Sequence, residues 1–204
     1  CVANGKLIKE KFIENLYIQP AAGDAGGALG AALATNYIYF ESERQHLRNN
    51  DLMKGTYLGP SFSEKEVLSM NKKVKASFEV FDDYRKIHKK IANKIAEGNV
   101  VGWFQGRMEF GPRALGSRSI LGDARNPEMQ KKLNLKIKYR EGFRPFAPSV
   151  LAESCEEFFE LKVDSPYMLL VAPIKKSRRK KLPEGFHDKD LWGKLYLERS
   201  DVQS

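Results

Sequence analysis

The sequence predicts a mixed α+β fold, and three local patterns lead to this prediction. Isoleucines recur every four residues between Tyr84 and Gly98, which predicts an amphipathic helix that ends at the glycine. The following run, 99–105, is rich in Val, Trp and Phe and predicts a β-strand. Earlier, a strand-like run at 15–20 leads into a glycine-rich turn and a helix of small residues. We therefore expect helices and strands to alternate along the chain.

Composition narrows the class of protein. A hydrophobic fraction of 42% is enough for a buried core, and the apolar runs are far shorter than the roughly 20 residues of a membrane span. Lysines precede any apolar segment at the start, so we expect no signal peptide, no membrane and a cytoplasmic protein. The two cysteines, Cys1 and Cys155, are too few for a disulfide scaffold. The net charge of +9 indicates an anionic partner.

Four further features are predicted around the charged segments. The turn before the small-residue helix has two interpretations: simple close packing, or an anion site at the helix N-terminus formed by Gly23, Ala25 and Gly26. Ser61 or Ser63 with the glutamates that follow predicts a short capped helix inside a polar connector. We also predict a helix from Asn126–Pro127 to about 135 and a strand at 167–174.

A segment rich in glycine and arginine, 106–121, directly follows the strand predicted at 99–105. It reads GRMEFGPRALGSRSIL and lacks helical periodicity, so we predict a loop. Arginine can hold phosphate or carboxylate with two hydrogen bonds, and glycine allows close approach of the backbone to an oxyanion. The residues of this segment that we expect at an anion site are Arg107, Arg113, Arg118 and Ser119.

A second basic segment, 136–148, reads KIKYREGFRPFAP. Its first three basic residues alternate along the chain, so on a strand they would share one face. Prolines stiffen the turn that carries the last arginine. Carboxylates are scarce in both segments, and we expect Glu109 and Glu141 to orient arginines. The basic residues in question are Lys136, Lys138, Arg140 and Arg144.

These segments resemble a known family. The runs at 106–121 and 136–150 closely resemble the carbamoyltransferases that O-carbamoylate nodulation factors, cephamycins and aminoglycosides. Shorter runs resemble the same family: QPAAGDAGGALGAAL at 19–33, YLGPSFS at 57–63 and SPYM at 165–168. Such long similar runs rarely arise by chance.

The resemblance implies a division of the chain into three parts. Residues 1–35 would be the C-terminal tail of an ASKHA-type transferase domain, 36–83 a connector, and 84–204 a YrdC-like domain. The rest of the ASKHA-type domain would be the partner of these 204 residues within a longer polypeptide. We expect the 204 residues alone to be inactive. Asp24 matches an aspartate ligand of that domain's iron, whose histidine partners lie outside this sequence. Iron is therefore expected only in the full-length enzyme, and the three histidines here (His46, His88 and His187) are expected on the surface.

The resemblance also implies small-molecule substrates: carbamoyl phosphate and ATP form carbamoyl adenylate, and the carbamoyl group passes to a hydroxyl. We assign carbamoyl phosphate to Arg107, Arg140 and Arg144. The residues assigned to the nucleotide are Arg113, Arg118, Ser119, Lys138, Gly23, Ala25 and Gly26.

Two interpretations from other classes remain open. One is an RNA-binding YrdC-like module without its own catalysis, because the net charge suits phosphates and a basic run lies at 175–181. Few aromatic residues separate the arginines for base stacking, so we do not expect nucleic acid as the partner. The other is an inactive interaction domain. For the basic run itself, a solvated loop is the simplest interpretation.

Overall fold

The computed structural model describes residues 1–44 and 51–202 and has a mixed α+β structure, as predicted. Strands β1 and β2 pair into a two-stranded sheet. The α-helices and strands are α1 (Val2–Leu7), α2 (Asp24–Ala34), α3 (Glu64–Val74), α4 (Tyr84–Ala96), β1 (Val101–Phe104), β2 (Arg118–Leu121), α5 (Met129–Lys132), α6 (Cys155–Phe158) and α7 (Leu191–Leu195). The described residues also contain two π-helical segments, Thr35–Tyr39 and Leu133–Ile137. They contain four 3-10 segments as well: Lys54–Thr56, Ala152–Ser154, Lys176–Arg178 and Phe186–Asp188.

Helices α3 and α4 begin where the sequence predicts, and α4 also ends there. Helix α3 starts with a capping box, in which Ser63 Oγ accepts from the backbone N–H of Glu66 and the Glu66 carboxylate accepts from Ser63 N at 2.8 Å. Asp83 caps α4 by accepting from Arg85 N at 2.8 Å. The chain leaves α4 through Gly98, whose φ of +82° suits glycine. These local signals do not depend on the rest of the fold.

Several predicted strands are wrong. Residues 15–20 are irregular, and the run 167–174 contributes only an isolated bridge between Phe159 and Ile174. Strand propensity reflects the fit to a pleated, half-buried surface, and these runs lack a neighbouring strand in the described structure. The helix predicted from 126 starts at Met129 and continues as a π-helix to Ile137.

The strand on which Lys136, Lys138 and Arg140 would share one face is not formed. Lys136 lies in the π-helix and Lys138 caps its end. A short run of alternating residues is compatible with the two-residue period of a strand and with the 3.6-residue period of a helix, and burial of the neighbouring apolar residues decides between them. Here Leu133 is 5% exposed and Met129 is 3% exposed, one helical turn apart, so the helical period places both in the core.

The chain divides into two compact units. Unit 1 comprises Cys1–Val80, Trp103–Ser119 and Pro166–Leu170. In unit 1 the 166–170 segment is fixed by side-chain hydrogen bonds: Asn4 Nδ2 donates to Leu169 O at 3.0 Å, and the Tyr167 hydroxyl donates to Asp51. Burial, together with the hydrogen bond to Asp51, raises the pKa of Tyr167 to about 12. The hydroxyl therefore remains protonated and keeps this contact at neutral pH.

Unit 2 comprises Phe81–Gly102, Ile120–Ser165 and Val171–Ser204. Its buried apolar side chains include those of Met129, Leu133 and Val202. Phe158 and Phe159 are half-buried, and the Arg178 guanidinium lies 3.9 Å from the centre of the Phe158 ring. Lys132 Nζ donates to Gly98 O at 2.6 Å and so satisfies a carbonyl after the end of α4.

No helix within residues 1–44 and 51–202 is long and apolar enough to cross a membrane. The division at 35 and 83 implied by the family resemblance stays a prediction, because compactness groups residues by contact and does not define the domains of a longer polypeptide.

Candidate functional site

The first arginine loop, residues 106–119, lies in unit 1, follows β1 and includes the first two residues of β2. The loop predicted over 106–121 is therefore wrong from Arg118 onward, where the chain forms a strand. Its ends are held by Gln105, whose backbone N–H donates to Ser117 O at 2.9 Å and whose side-chain amide donates to Gly116 O at 3.2 Å. The strand pair thus fixes both ends of the loop. Gly111 and Gly116 have positive φ, as tight loop turns require.

The loop is organised around the carboxylate of Glu109, whose side chain is fully buried. Glu109 Oε1 accepts from the backbone N–H groups of Leu115 at 2.6 Å and Ser117 at 2.8 Å, and Oε2 accepts from Arg118 Nε at 3.1 Å. Burial alone would raise the pKa of Glu109, but these donors outweigh it, so the pKa lies below its usual value. The carboxylate is therefore ionised at neutral pH.

Arg118 and Ser119 are both engaged within the loop. Arg118 Nη2 donates to Gly111 O and, at 3.5 Å, to Arg113 O. Ser119 Oγ accepts from Gly116 N at 3.1 Å. Arg118 therefore joins the buried carboxylate to the backbone on either side of Pro112.

Arg107 is held by a neighbouring segment of unit 1. Its Nε donates to Gly59 O at 2.8 Å and its Nη2 to Leu58 O at 3.3 Å. Gly59 N in turn donates to Met108 O at 2.9 Å, and the Tyr57 hydroxyl donates to Leu115 O at 2.7 Å. The 57–60 run is thus bound to the first arginine loop along much of its length.

Arg113 differs from its neighbours. Its side chain is exposed and has no hydrogen bond or ion pair to any residue of 1–44 or 51–202. Arg107 and Arg118 have donors committed to carbonyl oxygens or to Glu109, whereas the whole Arg113 guanidinium remains available to a ligand.

The glycine-rich turn of residues 21–27 contacts the first arginine loop within unit 1. A Cβ atom added to Gly111, which has φ of +100°, would lie 2.5 Å from Ala21 Cβ, so only glycine fits there. Gly26 N donates to Ala21 O at 2.8 Å. Two segments that were separate predictions, the turn with Gly23, Ala25 and Gly26 and the loop with the arginines, are therefore in direct contact.

Asp24 begins α2 and is exposed. No group of three or more His, Cys, Asp or Glu residues that could hold a metal occurs in the described residues. One exposed carboxylate does not make a transition-metal site, so this part of the chain does not by itself fit iron. His88 and His187 are exposed, as expected, and His46 lies outside the described residues.

The second arginine loop, residues 134–146, lies in unit 2 and is organised around the side chain of Asn134, which is 0% exposed. Asn134 Nδ2 donates to Arg144 O at 2.8 Å and Gly142 O at 3.2 Å, and Oδ1 accepts from Arg140 Nε at 2.7 Å. Every polar atom of this buried amide thus has a partner.

The cations of the second arginine loop are held to different degrees. The Arg140 guanidinium lies 5.0 Å from the centre of the Phe146 ring. Arg144 Nε donates to Glu141 at 2.8 Å with both side chains half exposed, and this contact lowers the pKa of Glu141. Glu141 therefore orients an arginine, as expected. Lys138 is exposed.

Comparison with known proteins identifies the family of the chain. The family model described as Carbamoyltransferase C-terminus matches residues 92–193, and the model described as Carbamoyltransferase N-terminus matches residues 1–33. The chain belongs to the carbamoyltransferase family.

Three relatives illustrate the range of this carbamoyltransferase family. The uncharacterized protein sll1178 of Synechocystis is 53% identical over 99% of this chain and 33% of its own length. Nodulation protein NolNO of Sinorhizobium fredii is 42% identical over 88% of this chain and 26% of its own. Nodulation protein U of Rhizobium fredii is 31% identical over 90% and 29%. The chain thus spans about a third or less of the length of these relatives.

Three of the six basic residues in the run at 175–181 of this carbamoyltransferase-family chain are paired with acids. Arg178 pairs with Glu157 and with Asp201 at 2.7 Å, and the remaining pairs follow the same pattern. They are Arg179 with Glu160 and Lys180 with Glu198. Much of the positive charge of the run is therefore neutralised locally, in contrast to Arg113.

Sequence reasoning missed Asn134 and the carbonyl acceptors of Leu58 and Gly59. Asn134 carried one usable signal, because it is a polar residue inside the run of a predicted helix and helix interiors disfavour Asn unless its side chain has a partner. The carbonyl acceptors carried none, since backbone oxygens are the same in every residue.

Proposed function

We propose that the chain is part of an O-carbamoyltransferase that forms carbamoyl adenylate and transfers its carbamoyl group to a hydroxyl. The observation behind the proposal is that each of two loops holds arginines in fixed geometry around one buried polar side chain. Pre-organised guanidinium groups suit substrates whose reaction is mainly an electrostatic problem, as in phosphoryl and nucleotidyl transfer.

The proposed chemistry consumes carbamoyl phosphate, ATP and water and yields carbamoyl adenylate, pyrophosphate and phosphate. Water cleaves the bond between the carbamoyl group and phosphate, and a carbamate oxygen then attacks the α-phosphorus of ATP, expelling pyrophosphate. The acceptor hydroxyl next attacks the carbamoyl carbon, losing its proton, and AMP leaves. Arginine clamps would neutralise phosphate charge and hold the reactants in line.

We propose distinct roles for the residues. Carbamoyl phosphate is assigned to Arg107, Arg140 and Arg144. The residues assigned to the nucleotide are Arg113, Arg118, Ser119, Lys138, Gly23, Ala25 and Gly26. Arg113 is the strongest of these assignments, because its guanidinium has no protein partner within the described ranges. Arg118 and Ser119 would act on the nucleotide mainly by holding the loop that carries Arg113.

Further parts of the proposal concern the longer polypeptide. We propose that the C-terminal portion has a YrdC-like fold, that an ASKHA-type domain of the same polypeptide is its partner, and that the enzyme is cytoplasmic. Iron would be held there by ligands outside this chain with Asp24 as one carboxylate.

RNA binding is not favoured as a second function. An RNA-binding surface needs cations free to meet phosphates, and the basic run at 175–181 has Arg178, Arg179 and Lys180 in ion pairs.

The test uses the complete polypeptide that carries this chain and measures pyrophosphate release that depends on carbamoyl phosphate. Arg107→Ala, Arg140→Ala and Arg144→Ala should each lower the rate roughly ten- to a hundredfold, since a charge-assisted contact contributes about 1.5–3 kcal/mol. Arg→Lys should restore only part of the loss, because a point charge cannot reproduce the fork of two donors.

The matched control is Arg178→Ala, which should leave the rate nearly unchanged. Equal losses from Arg178→Ala and the loop variants would indicate a diffuse basic field instead of a site. A polypeptide that releases no pyrophosphate with carbamoyl phosphate and ATP would exclude the proposed function.

A further inference from the structure

We propose that Glu109 is a positioning residue of the first arginine loop, which acts on a phosphate-bearing ligand through Arg118 and Arg113. The inference rests on the proposed function, in that it takes a nucleotide as the ligand of Arg113. Glu109 itself touches no ligand in this scheme. It sets the place of an arginine whose own side chain has no protein partner in the described ranges.

The contacts form a continuous path. The Glu109 carboxylate fixes the loop backbone at Leu115 and Ser117 with hydrogen bonds of 2.6 and 2.8 Å. Its second oxygen holds Arg118, whose Nη2 donates to the carbonyls on either side of Pro112. Proline fixes one backbone torsion between these two carbonyls. The backbone from which the Arg113 side chain extends is thereby tied to a buried anion.

Charge explains why an acid occupies this centre. A fully buried carboxylate is tolerated only with several donors, and Glu109 has three. An ionised Glu109 also neutralises Arg118, so the positive charge that the loop offers to a ligand resides on Arg113 and on Arg107, whose partners are neutral carbonyls. Glutamine at this position would keep one acceptor oxygen for the two backbone donors but would place an NH2 group against Arg118.

The experiment is a double-mutant cycle in the complete polypeptide, read by calorimetric binding of ATP. Arg113→Ala should weaken ATP binding about tenfold, the effect of one charge-assisted contact. Glu109→Gln should weaken it by about three- to tenfold, because the arginine is no longer held in place. In the Arg113→Ala background, Glu109→Gln should add less than about a factor of two, because both changes remove the same interaction.

The matched control is Asp123→Asn. Asp123 also accepts from a backbone N–H and from an arginine, Arg125, but lies outside both arginine loops. It should leave ATP affinity unchanged. Thermal unfolding checks that each variant is folded, and Arg118→Lys, which keeps the charge but not the two-carbonyl fork, replaces Glu109→Gln in the cycle if that variant does not fold.

A cycle in which the two losses simply multiply would overturn the inference, as would wild-type affinity in Glu109→Gln. Absence of ATP binding by the unmutated polypeptide would also overturn it. If that polypeptide binds ATP but releases no pyrophosphate with carbamoyl phosphate, the proposed function fails, while the binding cycle still decides the role of Glu109.

Discussion

Each of the two arginine loops is hydrogen-bonded to one buried polar side chain, but the two side chains differ in charge. The loop at 106–119 wraps around a charged carboxylate, Glu109, and the loop at 134–146 wraps around a neutral amide, Asn134. Glu109 only accepts hydrogen bonds, so it collects backbone N–H groups and a guanidinium. Asn134 both donates and accepts, so it bonds two carbonyls and one guanidinium.

This difference in charge predicts different losses of stability when each buried side chain is replaced. A charged centre gives stronger hydrogen bonds and titrates, whereas a neutral centre is weaker and insensitive to pH. In each loop one arginine is hydrogen-bonded to the buried side chain, and another is more exposed. In the first loop the exposed arginine is Arg113, which has no partner in the described residues. In the second loop it is Arg144, whose side chain bonds the half-exposed Glu141. Four measurements separate the two designs.

The largest effect is expected from removal of the charged centre. Glu109→Ala leaves two buried N–H donors and Arg118 without their acceptor, and we expect the free energy of unfolding to fall by about 3 kcal/mol. Chemical denaturation of the complete polypeptide measures this. A loss below about 1 kcal/mol would mean that water or a rearranged loop replaces the carboxylate.

Removal of the neutral centre should have a smaller effect. Asn134→Ala removes hydrogen bonds to Gly142, Arg144 and Arg140, and we expect a loss of about 2 kcal/mol in the free energy of unfolding. The control is Asn99→Ala, an exposed amide after α4 that bonds Lys94 O, for which we expect less than about 0.5 kcal/mol. Equal losses in the two variants would show that burial of Asn134 contributes nothing.

The third measurement follows stability as the pH is lowered, because Glu109 can be protonated in this range and Asn134 cannot. The folded-state pKa of Glu109 lies below its ordinary value of 4.5, so its contribution is fully present above that pH and is lost as pH falls through the folded-state value. The stability difference between wild type and Glu109→Gln should therefore shrink below about pH 4.5. The difference between wild type and Asn134→Ala should stay constant over the same range. A constant Glu109→Gln difference would contradict an ionised, stabilising carboxylate.

The smallest effect is expected at the surface pair of the second loop. Glu141 and Arg144 are both half exposed, and such pairs contribute about 0–1 kcal/mol. Glu141→Gln should change the free energy of unfolding by less than about 0.5 kcal/mol, and added salt should reduce even this. A larger, salt-resistant loss would show that the second loop depends on a charged pair as the first loop does.

Prediction from the sequence worked best where a structure depends on nearby residues. Ser63 and Glu66 cap α3 within one turn, and Gly98 terminates α4, so both boundaries could be predicted. It failed where pairing with a distant segment decides, as in the predicted strands at 15–20 and 167–174. The glycine and arginine content indicated an anion-binding loop, and Glu109 was expected to orient an arginine, which its bond to Arg118 confirms.

The sequence by itself determined the cap of α3, the end of α4 at Gly98 and the loop that follows β1, because each depends on the chemistry of adjacent residues. Only the tertiary structure decided which arginine of the first loop has a guanidinium without a partner among residues 1–44 and 51–202. Arg107, Arg113 and Arg118 are chemically identical, and their difference arises from carbonyls at Leu58 and Gly59 and from a carboxylate nine residues before Arg118. Burial likewise made Asn134 a loop centre, because a buried amide must satisfy its donors and acceptor with whatever groups the fold brings near.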